Sequence, residues 1–289
     1  MNVAEAISFA TESLRKTGTP EPTRDAKVLL AHSLGKQKTF LIAYPEFELT
    51  DEQQARFRGV VERKTGREPL QHILGRQEFY GRDFRVSPDV LIPRPETEAI
   101  VELAVRFLAD RPEPRFLDIG TGSGCIAVSI AAELPSARGV AADISPEALA
   151  VARENAETHG VAERISFTEG DLFGPAGRAE FDLVASNPPY IPLDEFLGLE
   201  PEVRDFEPRS ALTDEGDGLA FIRRIIAEAS HHLRPGGKLL VEIGFGQAES
   251  VAEMIDASVW AEPAFHNDLQ GIPRILEATL ISPESPYHN

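Results

Sequence analysis

Three stretches near the start of the chain place apolar residues at the three- and four-residue spacing of a buried helical stripe. "VAEAISFATESLRKTG" and "TRDAKVLLAHSLG" run out at Gly18 and Gly35, where a glycine C-terminal cap belongs. "TDEQQARFRGVVERKTG" opens with Thr50 and Gln53, the pair of a capping box, and closes on Gly66. Together they predict a small helical bundle over residues 1–75. The spacing then changes to two: "QEFYGRDFRVS" alternates around Gly81 and predicts a β-hairpin within a linker of residues 76–93. "LIPRPETEAIVELAVRFLAD" returns to helical spacing after two prolines, with Glu96 and Glu98 in the first turn, where the helix dipole favours carboxylates.

From Arg115 onward, short apolar runs alternate with longer amphipathic ones. "RFLDIG", "RGVAADI", "RISFTEG", "FDLVASN" and "GKLLVEIG" read as strands, and "CIAVSIAAEL", "SPEALAVARENAETHG" and "GLAFIRRIIAEASHHL" as the helices between them. This alternation predicts an α/β domain over residues 94–289 with a doubly wound, mostly parallel sheet. "RILEATLI" reads as a final strand, with "SVWAEPAFH" as its hairpin partner.

Composition narrows the class. No run of eighteen apolar residues occurs, and the N-terminus lacks the basic, apolar and small-residue regions of a signal peptide; the expected setting is cytoplasmic, with no membrane association. A single cysteine, Cys125, excludes an internal disulfide, and the seven histidines show no metal-ligand spacing, so no metal is expected. His231 and His232 are expected to be solvated residues at a helix end. Residues 1–76 hold 12 Lys+Arg and 10 Asp+Glu (net +2), whereas residues 77–289 hold 17 and 37 (net −20). So acidic a region repels a phosphate backbone, which argues against direct binding of duplex DNA.

"LDIGTGSGCIAV" puts Gly120, Thr121, Gly122, Ser123 and Gly124 in the turn between the first strand of the alternation and its helix. Bare backbone there lets a ligand approach closely, at the strand ends where ligands collect. The pattern is G-x-G-x-G, with Cys125 where a dinucleotide fingerprint needs its third glycine, which disfavours NAD or FAD. Cys125 itself reads as a small buried hydrophobe. Asp143, ending the second strand, is placed to accept from ribose hydroxyls. Asp171 and Leu172, in "EGDLFG" after the third strand, are placed to meet an adenine, with Phe173 also over the ring. Turn glycines and a capping aspartate would give the same residues without a ligand, but their joint placement at successive strand ends favours a ribose- and adenine-bearing cofactor.

"SNPPY" follows the fourth strand of this series. Each X-Pro step disfavours helix for the preceding residue, so Asn187, Pro188, Pro189 and Tyr190 form a stiff loop facing the same crevice. The Asn187 side chain and the Pro188 carbonyl offer two fixed acceptors, which suit a planar NH₂ group. An amide or aromatic amine is a poor nucleophile, and acceptors on both its hydrogens stabilise the charge that develops as it is alkylated. Tyr190 can stack on the flat substrate. The chemistry implied is N-methylation, with S-adenosyl-L-methionine as the cofactor.

With "GREPLQHILGRQEFYG", "LIPRPETE", "ADISPEALAVARENA" and "FEPRSALTDEGDGLAFIRRII" beside the two motifs above, nearly the whole chain resembles the release-factor glutamine N5-methyltransferases (PrmC/HemK type), within the class I S-adenosylmethionine-dependent methyltransferases. The resemblance implies a seven-stranded sheet with its last strand antiparallel, and a helical N-terminal domain that recognises the substrate. It further implies cofactor contacts at Gly120 to Gly124, Asp143, Asp171, Leu172 and Asn187, and a substrate glutamine held by Asn187 to Tyr190. Arg94 and Glu96 are expected as walls of the substrate site. The implied partner is a class 1 peptide chain release factor, methylated on the glutamine of its Gly-Gly-Gln motif by a monomeric enzyme. In some relatives an aromatic residue stands at the Leu172 position, which would weaken adenine stacking here. The alternatives are a ribosomal-protein glutamine methyltransferase, a DNA adenine N6-methyltransferase, and a cofactor-binding scaffold without activity.

Overall fold

The computed structural model describes residues 1–177 and 180–281. Residues 282–289, the end of the segment expected to be catalytic, lie outside the described residues. In chain order the elements begin with α1 (Val3–Lys16), α2 (Pro22–Leu34), α3 (Lys38–Ala43), α4 (Asp51–Thr65), α5 (Leu70–Leu74), β1 (Arg76–Phe79) and β2 (Arg82–Arg85). They continue with α6 (Glu98–Leu108), β3 (Arg115–Ile119), α7 (Cys125–Glu133), β4 (Arg138–Asp143), α8 (Pro146–Thr158), β5 (Ile165–Glu169) and β6 (Phe181–Ser186). After these come α9 (Leu193–Phe196), α10 (Pro201–Arg204), α11 (Ala220–Ala229), β7 (Leu233–Glu242), α12 (Ala248–Ala252), β8 (Ala264–Asn267) and β9 (Pro273–Thr279). The chain divides into two compact units, Met1–Arg76 with Glu200–Phe206, and Gln77–Leu199 with Glu207 onward.

In the first unit the apolar stripes of α1, α2 and α4 meet around Leu14, Leu29, Leu30 and Phe57, all fully buried. Two capping boxes fix the helix starts: Asn2 and Glu5 exchange bonds of 2.9 and 3.0 Å, and Thr50 and Gln53 bonds of 3.2 and 3.0 Å, satisfying amides that the first turn leaves without partners. Gly35 ends α2 with the left-handed φ of 62° expected of it. At the end of α4, however, Gly66 has φ −77° and the left-handed residue is Arg67, φ 72°. Its guanidinium donates to Glu202 of α10 at 3.0 Å, which ties residues 200–206 to this unit.

The second unit is built on a seven-stranded sheet of order β5-β4-β3-β6-β7-β9-β8. All pairs are parallel except those of β9, which runs antiparallel to both β7 and β8. Side chains alternate between two cores, as strand geometry requires. Phe116, Leu183, Ala185 and Leu240 pack with α6 and α7; Leu117, Ile119, Val184, Leu239 and Val241 pack with α11. The chain leaves β3 toward β4 and later returns on the other side as β6, so the topological switch point lies between β3 and β6. At the opposite end of β6, Asp182 is buried and accepts from Arg115 N at 2.8 Å, Arg111 at 2.8 Å and Arg234 at 3.1 Å. The hairpin β1–β2 turns on Tyr80 and Gly81, φ 50° and 71°, the pair of positive angles that a two-residue hairpin turn needs. Glu98, at the start of α6, spends its carboxylate on Tyr80 N at 2.9 Å.

Gly139 in β4 pairs laterally with Phe116 of β3, and a Cβ added to it would lie 2.3 Å from the Phe116 ring. The aromatic ring fills the space the glycine leaves. Gly139→Ala is expected to lower stability by about 1–3 kcal/mol through overpacking, read as a lower denaturant midpoint; Phe116→Leu added to it should recover part of that loss.

Candidate active site

Ile119 of β3 pairs laterally with Ala142 and with Ser186 of β6, and Ser186 with Val241 of β7. The strand ends are therefore level, and the segments that follow them emerge side by side. The Ser186 hydroxyl donates to the Ile119 carbonyl at 2.9 Å, locking the two central strands at the edge. A cavity of about 260 Å³ opens there. Of the residues singled out in the sequence, Gly120, Thr121, Gly122, Ser123, Asp143, Asp171, Leu172, Asn187, Pro188, Pro189 and Arg94 line it. Gly124, Glu96 and Tyr190 stand outside its lining.

The three glycines of the first loop differ in what they do. All have positive φ (68°, 54° and 80°), which only glycine adopts cheaply. A Cβ at Gly120 or Gly122 would meet no atom within 4 Å, whereas one at Gly124 would lie 3.0 Å from the Ala152 Cβ. The first two leave bare backbone to a ligand; the third lets α7 and α8 approach. Asp143 closes the loop, accepting Gly122 N at 2.8 Å and Ser145 N at 3.0 Å. Beneath it Asp118 is fully buried, with one oxygen accepting from Thr121 at 2.6 Å and Ala127 N at 3.2 Å and the other without a partner among the described residues. Desolvation pushes its carboxyl up to about 7, against the pull of the Thr121 and Ala127 hydrogen bonds.

Cys125 is buried, and its thiol is pushed up to about 12 by desolvation, so it stays protonated and acts as an apolar side chain. Asp171 is exposed and held by Arg224 at 2.6 Å. Leu172, at φ 46°, is turned into the structure. Phe173 does not face the cavity; it is buried and stacks on His232 at 4.7 Å and 13°. Two expectations change: Phe173 is not positioned over a cofactor ring, and His232, half-buried against that ring, is not a solvated helix end.

Around the fourth-strand loop the structure brings in residues that the sequence reading passed over. Asn187 donates through Nδ2 to the Thr97 hydroxyl at 3.0 Å, Thr97 donates to Glu242 Oε2 at 2.6 Å, and the Tyr190 hydroxyl donates to Glu242 Oε1 at 3.0 Å. Thr97 and Glu242 are 2% and 1% exposed, so the centre of this network is shielded from solvent, while Asn187 and Tyr190 are partly exposed at its ends. Burial raises the Tyr190 phenol above its ordinary range, with the Glu242 charge adding to it, and the phenol remains a donor. Gln247 accepts from Gly244 N at 2.7 Å and donates to the Tyr190 carbonyl at 2.9 Å. Arg94 pairs with the buried Glu207 at 2.5 Å, and Glu207 also accepts Ile92 N at 2.9 Å. One signal for Glu242 was present: a lone carboxylate ending the otherwise apolar run "LLVE". Among the described residues, no group of three or more His, Cys, Asp or Glu side chains is arranged to hold a metal, and no helix is long and apolar enough to cross a membrane.

Residues 5–75 match the family model described as PrmC N-terminal domain, and residues 99–194 the one described as Methyltransferase small domain. The chain is 44% identical to a release factor glutamine methyltransferase of Geobacter sulfurreducens over 274 residues, 95% of each chain. It is also 44% identical to a protein of the same name from Cereibacter sphaeroides, over 97% of this chain and 99% of the other. Among solved structures, the catalytic domain of hMettl16 in complex with the MAT2A 3′UTR hairpin 6 superposes with a TM-score of 0.57 at 18% identity, covering 74% of this chain and 81% of that one, which shows a shared fold.

The buried Asp118 carboxyl gives a pH signature. Its folded-state value of about 7 lies above the ordinary 3.8, so the folded state holds the proton that the unfolded state has lost. The stability it contributes is present below about pH 3.8 and is lost as pH rises toward 7. In Asp118→Asn that decline should vanish, flattening stability against pH by up to about 1.4 kcal/mol per pH unit relative to wild type. Denaturant titrations of both proteins between pH 4 and 7 check it; parallel profiles would refute the assignment.

Proposed function

The chain belongs to the family of release factor glutamine methyltransferases, and from that membership and the cavity's geometry we infer that it methylates the side-chain amide nitrogen of the Gly-Gly-Gln glutamine of class 1 peptide chain release factors. S-adenosyl-L-methionine, when bound, supplies the electrophilic methyl group. The observation that carries the reading is the Asn187 amide: its nitrogen is committed to Thr97 at 3.0 Å, which leaves its oxygen for a planar NH₂ donor in a cavity that Pro188 and the glycine loop also line.

The residues present fit the cofactor. The open space over Gly120 and Gly122 accepts its backbone-proximal part, Asp143 borders the same cavity with a carboxylate for ribose hydroxyls, and Leu172 offers an apolar surface. Asn187 and Pro188 then act on the substrate. By accepting both hydrogens of the glutamine amide they orient its nitrogen and stabilise the positive charge that grows on it during alkylation. No general base is required at that stage, because the nitrogen becomes acidic only after the new bond forms. Tyr190, anchored through its hydroxyl to Glu242, holds the end of the loop. The Arg94–Glu207 pair stiffens the cavity wall. The helical unit, which carries the PrmC N-terminal match, is the part we assign to gripping the body of the release factor, in the cytoplasm where translation terminates.

The test is incubation with labelled cofactor and a purified class 1 release factor, with a tip Gln→Ala variant, a ribosomal protein fraction and duplex DNA alongside, and mass spectrometry to locate the methyl group. One methyl on the tip glutamine and none on the variant is expected; label confined to the ribosomal fraction or the DNA would overturn the substrate. Asn187→Ala should lower methyl transfer by about 10²- to 10³-fold, with cofactor affinity nearly unchanged. Asp143→Ala should weaken cofactor binding roughly 10- to 100-fold by calorimetry, since it removes a charged acceptor.

A further inference from the structure

A carboxamide is nearly symmetric in shape and opposite in chemistry at its two ends. If Asn187 presented Nδ2 to the substrate, donor would face donor and the site would repel the group it must hold. Something must decide which way round the amide sits.

We propose that Glu242 is the positioning residue that sets this orientation, acting through Thr97, so that the substrate always meets the oxygen of Asn187. This role presupposes the function proposed above and follows from the polarity of one hydrogen-bond chain. Burial raises the Glu242 carboxyl, against the pull of the hydrogen bonds from Thr97 and Tyr190; those two donors favour its ionised form, which accepts only. Glu242 takes hydrogens from both sides, from Thr97 at 2.6 Å and Tyr190 at 3.0 Å. A threonine hydroxyl has a single hydrogen; once it is directed at Glu242, the Thr97 oxygen can only accept, and only the Nδ2 end of Asn187 satisfies it, at 3.0 Å. Each hydrogen bond in the chain Asn187, Thr97, Glu242 is thus donated toward the carboxylate. Burial makes this polarity binding, because with Thr97 and Glu242 2% and 1% exposed, water is not at hand to satisfy a reversed arrangement. The strand register makes it possible: Ser186 pairs with Val241, so Asn187 and Glu242 leave adjacent strands at the same level.

Glu242→Gln keeps the shape and introduces a donor. With its NH₂ toward Thr97, the hydroxyl accepts from it and releases its hydrogen toward Asn187, whose amide can then turn. Thr97→Val, nearly isosteric, removes the coupling while keeping the Tyr190 contact; Thr97→Ser retains it. Kinetics with a release factor as substrate should show kcat lowered about 10-fold or more in Glu242→Gln and Thr97→Val, with KM for the release factor and calorimetric cofactor affinity little changed and Thr97→Ser close to wild type. A release factor whose tip glutamine is replaced by glutamate supplies a readout that a merely structural role would not move. Its carboxylate is repelled by two acceptors but welcomed by a turned amide, so its inhibition of Glu242→Gln, relative to wild type, should strengthen by about tenfold. Wild-type kcat in Glu242→Gln, or an unchanged preference between the two tips, overturns the inference alone. Absence of tip methylation by the wild-type chain overturns the function and the inference with it.

Discussion

The common level at which β3, β6 and β7 end is the constraint on which the site depends. Ile119, Ser186 and Val241 lie in one row, so the glycine loop, the Asn187 loop and Glu242 all start from the same edge of the sheet. Because side chains alternate, a slip of one residue in β7 would carry Glu242 to the α11 face and leave Val241 beside Thr97. Leu239, Leu240 and Val241 are apolar toward both cores, so it is the buried Glu242, which meets its donors Thr97 and Tyr190 in this register, that opposes the slip. The carboxylate at the strand end thus helps set the level of the loops around it.

The edge is acidic, and its carboxylates are handled in two ways. Asp118, Asp143 and Glu242 are satisfied chiefly by neutral donors, whereas Glu207 has Arg94. Burial without a cationic partner raises the carboxyls of Asp118 and Glu242, against the pull of their neutral donors, and the net charge of −20 over residues 77–289 opposes a polyanion.

Much of this was legible in the chain. Period-3.6 and period-2 patterns yield the helices and the parallel strands, and spacing alone places Gly120, Gly122, Asp143 and Asn187 at strand ends that turn out to share one cavity. What could not be read depends on contacts between distant residues. Thr97 and Glu242 are 145 residues apart, and Arg94 and Glu207 113; no local pattern joins them until the register is known. Phe173 was misread because its direction is set by the partner it stacks on, His232. At the end of α4 the chain closes on Gly66, but the left-handed residue is Arg67, a non-glycine that the glycine-cap pattern does not pick out.

Asp182 has a consequence for how the protein can change over time. It clamps the start of β6 to Arg111, Arg115 and Arg234, while the Asn187 loop begins just past the strand's other end, roughly 15 Å away at strand rise. Perturbations separated by that distance tend to add independently. One short strand is thus moored at its base and open to the cavity at its tip, and evolution can retune the mooring to a new temperature or salt without disturbing the cavity.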